Sequence, residues 1–101
     1  MPKLYEYFGL IVMFYANVHE PVYVNGKSQG REARAKFIII NGVVNEINYT
    51  DVTGRPPLQP NEIRYFKEIV SNKSNEIVAK WIDFFVLHKS IISENITRRP
   101  K

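Results

Sequence analysis

The chain has 101 residues, 45% hydrophobic and 13% aromatic, enough for one domain with its own core and too apolar for a disordered chain. It has no cysteine, which excludes disulfides, thiolate metal sites and cysteine nucleophiles. Its 14 basic and 10 acidic residues give a formal charge of +4, an excess that permits an anionic partner without requiring one.

The chain opens with "MPKLYEYFGLIVMFYAN". Its apolar run, residues 10–16, is far shorter than the roughly 20 residues of a membrane span, and it lacks a small-residue cleavage site. A cytoplasmic protein without a membrane role is therefore expected, and in that setting the sequons at Asn48 and Asn95 carry no meaning. In "LYEYF", residues 4–8, aromatic and charged side chains alternate, which predicts packing at a sheet edge rather than stacking on bases. Gly9 suggests a bend, and residues 10–16, apolar on both alternating faces, suit a strand covered on both sides. A short strand over 22–25 follows Pro21. Gly26 and Gly30 then bracket a polar turn that leads into a strand over 33–39.

The stretch "FIIINGVVNEINY" predicts a hairpin. A two-residue Asn41-Gly42 loop would set the row Ala33, Ala35, Phe37, Ile39 beside Glu46 and Asn48. A three-residue loop, Ile40-Asn41-Gly42, instead joins that row to Val43, Ile47 and Tyr49, and sends Arg34, Lys36, Glu46 and Asn48 to the other face. Because a one-residue slip moves a whole apolar set across the sheet, the second register is expected, with Gly42 left-handed in a bulge.

Beyond the turn-rich "TDVTGRPPLQP" the period becomes helical. Pro60 suits a first helical position, and Glu62 sits where the helix dipole favours it. Ile63, Phe66, Ile69 and Val70 form one stripe; Ile77, Val78, Trp81, Ile82, Phe85 and His88 form another. Two helices, about 60–71 and 75–89, are predicted, with one kinked helix as the alternative. The fold class is α+β: an antiparallel sheet of about four strands in the first half, packed against two C-terminal helices, in a single domain over 1–101. The basic tail 94–101, with Arg98, Arg99 and Lys101, is expected to be mobile.

The segments "MPKLYEYFGLIVMFYANVHEPVYV" and "IVAKWIDFFVLHK" resemble the small bacterial proteins grouped as the domain of unknown function 4160 family, over residues 2–89. Those relatives carry H-x-P-x-H-x-H where this chain has His19-Glu20-Pro21-Val22-Tyr23-Val24-Asn25. The first histidine and the proline match; Tyr23 and Asn25 replace the other two. Trp81 and His88 also match. The resemblance implies a shared fold, and a gene often placed beside that of another small protein, as in toxin–antitoxin pairs. It implies no mechanism.

Histidines at i and i+2 of a strand share a face and, with a third nearby, could bind a metal or run acid–base chemistry. Tyrosine and asparagine are poor substitutes as ligands, so no metal site and no cofactor are expected. His19 reads as a corner residue ahead of a strand, and His88 as a core or helix-end histidine. The leading expectation is a non-enzymatic binding partner of a small protein encoded by an adjacent gene. One rival is a metal-independent, ribonuclease-like toxin using His19, Tyr23 and Arg31. Another is a non-catalytic nucleic-acid-binding regulator using the phosphate-binding candidates Lys27, Arg31, Arg34 and Lys36. For that basic cluster, a solvated strand face is the plainer reading.

Overall fold

Residues 2–15 and 22–99 are described in the computed structural model, and they form six strands and two helices. The strands are β1 (Lys3–Tyr7), β2 (Leu10–Met13), β3 (Tyr23–Ser28), β4 (Arg31–Ile40), β5 (Val43–Asp51) and β6 (Glu94–Asn95); the helices are α1 (Pro60–Asn72) and α2 (Ser74–Phe85). They make one sheet in the order β5-β4-β3-β2-β1-β6, antiparallel except that β6 runs parallel to β1. The class is α+β as expected, but the sheet is larger than four strands and mixed. The two added strands have different causes. β1 is a full core strand, bulged between Lys3 and Tyr5 so that Leu4 and Tyr5 are both buried. β6 is two residues long and forms only because the chain returns along β1, where the Ile96 N–H donates to the Glu6 carbonyl at 2.8 Å.

Tight turns link β1 to β2, β3 to β4 and β4 to β5, through Phe8-Gly9, Gln29-Gly30 and Asn41-Gly42. All six turn residues have positive φ, the geometry of a type I′ hairpin. This corrects the expected loop at the β4–β5 tip. Ile40 pairs with Val43, so the loop has two residues rather than three. The parity change occurs inside the ladder instead, where Ile38 pairs with Glu46 and Ile39 with Val44, leaving Asn45 as the extra residue of a bulge. Beyond the bulge, Phe37 pairs with Ile47 and Ala35 with Tyr49, so Ile47 and Tyr49 share the face of Ala33, Ala35 and Phe37 as expected, whereas Val43, expected there too, pairs with Ile40 on the other face. Gly42 is left-handed, with φ of 78°.

Gly26 is also not a turn residue. It lies within β3, and a Cβ there would sit 2.6 Å from the Phe66 ring of α1, so β3 needs a bare backbone for α1 to approach. Both helices pack on the face that carries Val12, Val24, Gly26, Ala33, Ala35 and Phe37. Phe66, Ile69, Val70 and Ile77 are fully buried against it, each contributing about 1.5–3 kcal/mol of transfer free energy. Polar contacts lock the same interface: the Ser28 hydroxyl donates to the Glu62 carboxylate, and the Tyr5 hydroxyl to Glu76 at 2.6 Å. β2, expected to be covered on both sides, has helices on one side only among the described residues.

α1 starts as expected, with Pro60 at its first turn and the Gln59 N–H donating to the Glu62 carboxylate at 2.8 Å. Lys73 alone separates the helices. α2 ends at Phe85 rather than 89, because the Val86 and Leu87 N–H groups both donate to the Ile82 carbonyl and Lys89 donates to Asp83. His88 turns left-handed there, with φ of 55°, and is exposed beyond the helix rather than on its apolar stripe. Within the stretch expected to be a mobile tail, β6 pairs with β1 and Arg99 reaches Glu68 at 2.9 Å.

Candidate functional site

Strand parity sorts the candidate residues. In the β3–β4 ladder Tyr23 pairs with Lys36, Asn25 with Arg34, Lys27 with Glu32 and Ser28 with Arg31. Tyr23, Asn25, Lys27, Glu32, Arg34 and Lys36 therefore share the face that carries no helix among the described residues. Arg31 belongs with Ser28 to the helix side, where its guanidinium donates to the Pro57 carbonyl at 3.3 Å. Tyr23 and Arg31 are thus on opposite faces and five steps apart along the ladder, about 16 Å. The geometry does not bring them together, and His19 lies outside the described residues.

At the centre of the helix-free face is a buried carboxylate. Glu32 is 1% exposed and Asn25 0%. One Glu32 oxygen accepts from Asn25 Nδ2 at 2.6 Å and from the Tyr15 hydroxyl at 2.7 Å, while the other lies 3.8 Å from Arg55 Nε. Charge-assisted bonds of this kind are what make a buried carboxylate tolerable. Burial, then the bond to Glu32 and its charge, push the Tyr15 hydroxyl above its ordinary value, so it is a neutral donor at physiological pH. Around this centre the Arg34 guanidinium lies 4.4 Å from the Tyr23 ring centroid, and Lys27 Nζ 5.8 Å from that of Tyr15. Asn25 Oδ1 and Arg34 Nε are buried without a hydrogen-bond partner among the described residues, an acceptor and a donor on directly paired residues.

The cluster can hold charge and shape, but the Glu32 carboxylate is committed to two donors and an ion pair with Arg55. Asn25 is enclosed and bonded to Glu32. Of the phosphate-binding candidates, Lys27, Arg34 and Lys36 share this face and Arg31 does not. Among the described residues no three His, Asp or Glu side chains gather as a metal site.

Sequence reasoning missed Glu32 and Tyr15. Glu32 counted only as the one negative charge in a basic stretch, and Tyr15 as the end of an apolar run. The available signal was parity, since Glu32, Arg34 and Lys36 alternate on one face. The burial of Glu32 depends on the β3–β4 register, which no local pattern encodes. Comparison of the chain with protein-family models, with curated proteins and with solved structures finds no match.

Proposed function

We propose that the protein is a non-enzymatic binding partner: a domain that engages a small protein encoded by an adjacent gene, in a two-gene, toxin–antitoxin-like module. The observation that carries this reading is the C-terminal end of α2. Ile82, Val86 and Leu87 are 41%, 56% and 52% exposed there, and Ile82 and Val86 are one turn apart on the same side. Of the apolar residues in α2 only Ile77 is fully buried. Beside them Trp81, Phe84 and Phe85 form a half-buried aromatic platform, with Phe85 5.3 Å from Trp81, 4.8 Å from Phe84 and 5.7 Å from Phe14. A helix end more apolar than its own core requires suits a protein partner, and rigid rings lose little entropy when covered.

Burial of such a surface is weakly screened by salt. The test is co-expression with the adjacent gene product and gel filtration at about 50 and 500 mM salt. A complex should persist at both and be lost in Ile82→Asp and Leu87→Asp proteins that keep their circular dichroism. No complex at either salt concentration removes the reading.

One observation favours the nucleic-acid regulator as a second reading: Lys27, Arg34 and Lys36 share a face. RNA or DNA retention would then collapse between about 50 and 200 mM salt through loss of counterion release. The ribonuclease reading has no such support, since Tyr23 and Arg31 point to opposite sides of the sheet.

A further inference from the structure

On the helix-free face a cleft of about 400 Å³ opens between the tips of two hairpins, within the size range of small-molecule sites. Ile11 and Met13 of β2 make its floor, and Lys3 and Lys27 stand on the strands to either side. Gly9 and the Gln29-Gly30 turn form its mouth. The floor is aliphatic hydrocarbon and a thioether, which adapts to an irregular chain, and no aromatic ring lines it.

The charges at the rim are not equivalent. The Lys3 ammonium is held by the Glu6 carboxylate at 2.8 Å. Lys27 makes no ion pair among the described residues: its cross-strand neighbour Glu32 is already committed to Asn25, Tyr15 and Arg55. The Ser28 hydroxyl at the cleft edge is engaged by Glu62. The cleft therefore offers an apolar floor and one cation, Lys27, which has no ion pair among the described residues and has its Nζ 5.8 Å from the Tyr15 ring centroid. This matches a single negative charge better than a phosphate dianion.

We propose that this cleft binds a single-chain aliphatic carboxylate, its chain along Ile11 and Met13 and its head on Lys27. The site is separate from the α2 surface, so it stands or falls independently of the protein-binding reading.

The test is an NMR titration of the full chain with decanoate, decanol and acetate, each below its aggregation limit. Decanoate should saturate one site, with amide shifts centred on Ile11, Met13, Lys27 and Gly30. Decanol should bind there at least about tenfold more weakly and acetate not at all, because a charge-assisted bond and the buried chain are both required. Lys27→Gln should weaken decanoate about tenfold and leave decanol unchanged, and Ile11→Ser should weaken both. Decanoate shifts centred on Ile82, Val86 and Leu87, equal binding of decanoate and decanol, or no saturable shift would each overturn the proposal. The comparison of ligands on the unaltered chain needs no variant to fold.

Discussion

The two faces of one sheet are closed to water by opposite means. On the helix side Phe66, Ile69, Val70 and Ile77 cover Val12, Val24, Ala35 and Phe37 with hydrocarbon. On the other side Asn25 and Glu32 are just as buried, but a polar network encloses them, with Tyr15 donating and Arg55 balancing charge. A sheet face without a helix among the described residues can still bury a carboxylate where donors reach it, here with Asn25 Oδ1 and Arg34 Nε left without a partner among those residues. The residues that look most like chemistry are then occupied in holding the fold. Lys27, without an ion pair among the described residues, and the exposed apolar end of α2 lie at the margins.

The largest test of this contrast is Phe66→Ala. It empties the packing against Gly26 and should cost about 3–5 kcal/mol, read as a lower denaturant midpoint with little change in slope. Glu32→Ala, the matching lesion on the other face, should cost about 1–3 kcal/mol by leaving Asn25 Nδ2 and the Tyr15 hydroxyl without their acceptor. A loss below about 0.5 kcal/mol, the scale of an ordinary surface substitution, would mean that the polar centre is not structural. Gly42→Val, at the tip of the hairpin whose bulge sorts β5 between the two faces, should cost about 1–2 kcal/mol, because a β-branched residue is strained at positive φ.

The smallest effect concerns the C-terminal strap. Hydrogen bonding from Arg99 and its charge hold the half-buried Glu68 carboxyl below its ordinary value. Its folded-state pKa is thus depressed, so the contribution is complete above the usual carboxylate value of about 4.3 and is lost as pH falls through the lower folded value. The Arg99 Nε–H resonance should move to its free-chain position in that acid range. In Glu68→Gln it should be there already at pH 7. Identical positions in both proteins at pH 7 would remove the bond from the account.

Much of this architecture was legible along the chain. The α+β class, the start of α1 at Pro60, and the shared face of Ala33, Ala35 and Phe37 with Ile47 and Tyr49 could be read there, because period 2, period 3.6 and capping residues are local properties. The Asn41-Gly42 loop was misread for an instructive reason. The apolar pattern requires a change of parity somewhere in the hairpin but does not say where, and the bulge at Asn45 meets that requirement as well as a longer loop does. α2 was read too far because its apolar stripe continues past Phe85, where backbone donors already close the helix. The candidate site was less legible. Lys27, Arg34 and Lys36 were found by charge, but Arg31 was grouped with them only because proximity in sequence ignores strand parity.

Composition and hydrophobic period by themselves determined that this chain makes a strand-rich first half and a helical second half, because each residue's preference for one face is set by its own side chain. Tertiary structure alone decided that Gly26 is bare for Phe66, that β6 exists, and that Glu32 is buried while Lys27 has no ion pair among the described residues. Each of those depends on which distant groups meet, and a buried charge is tolerated only where the register of neighbouring strands delivers its partners.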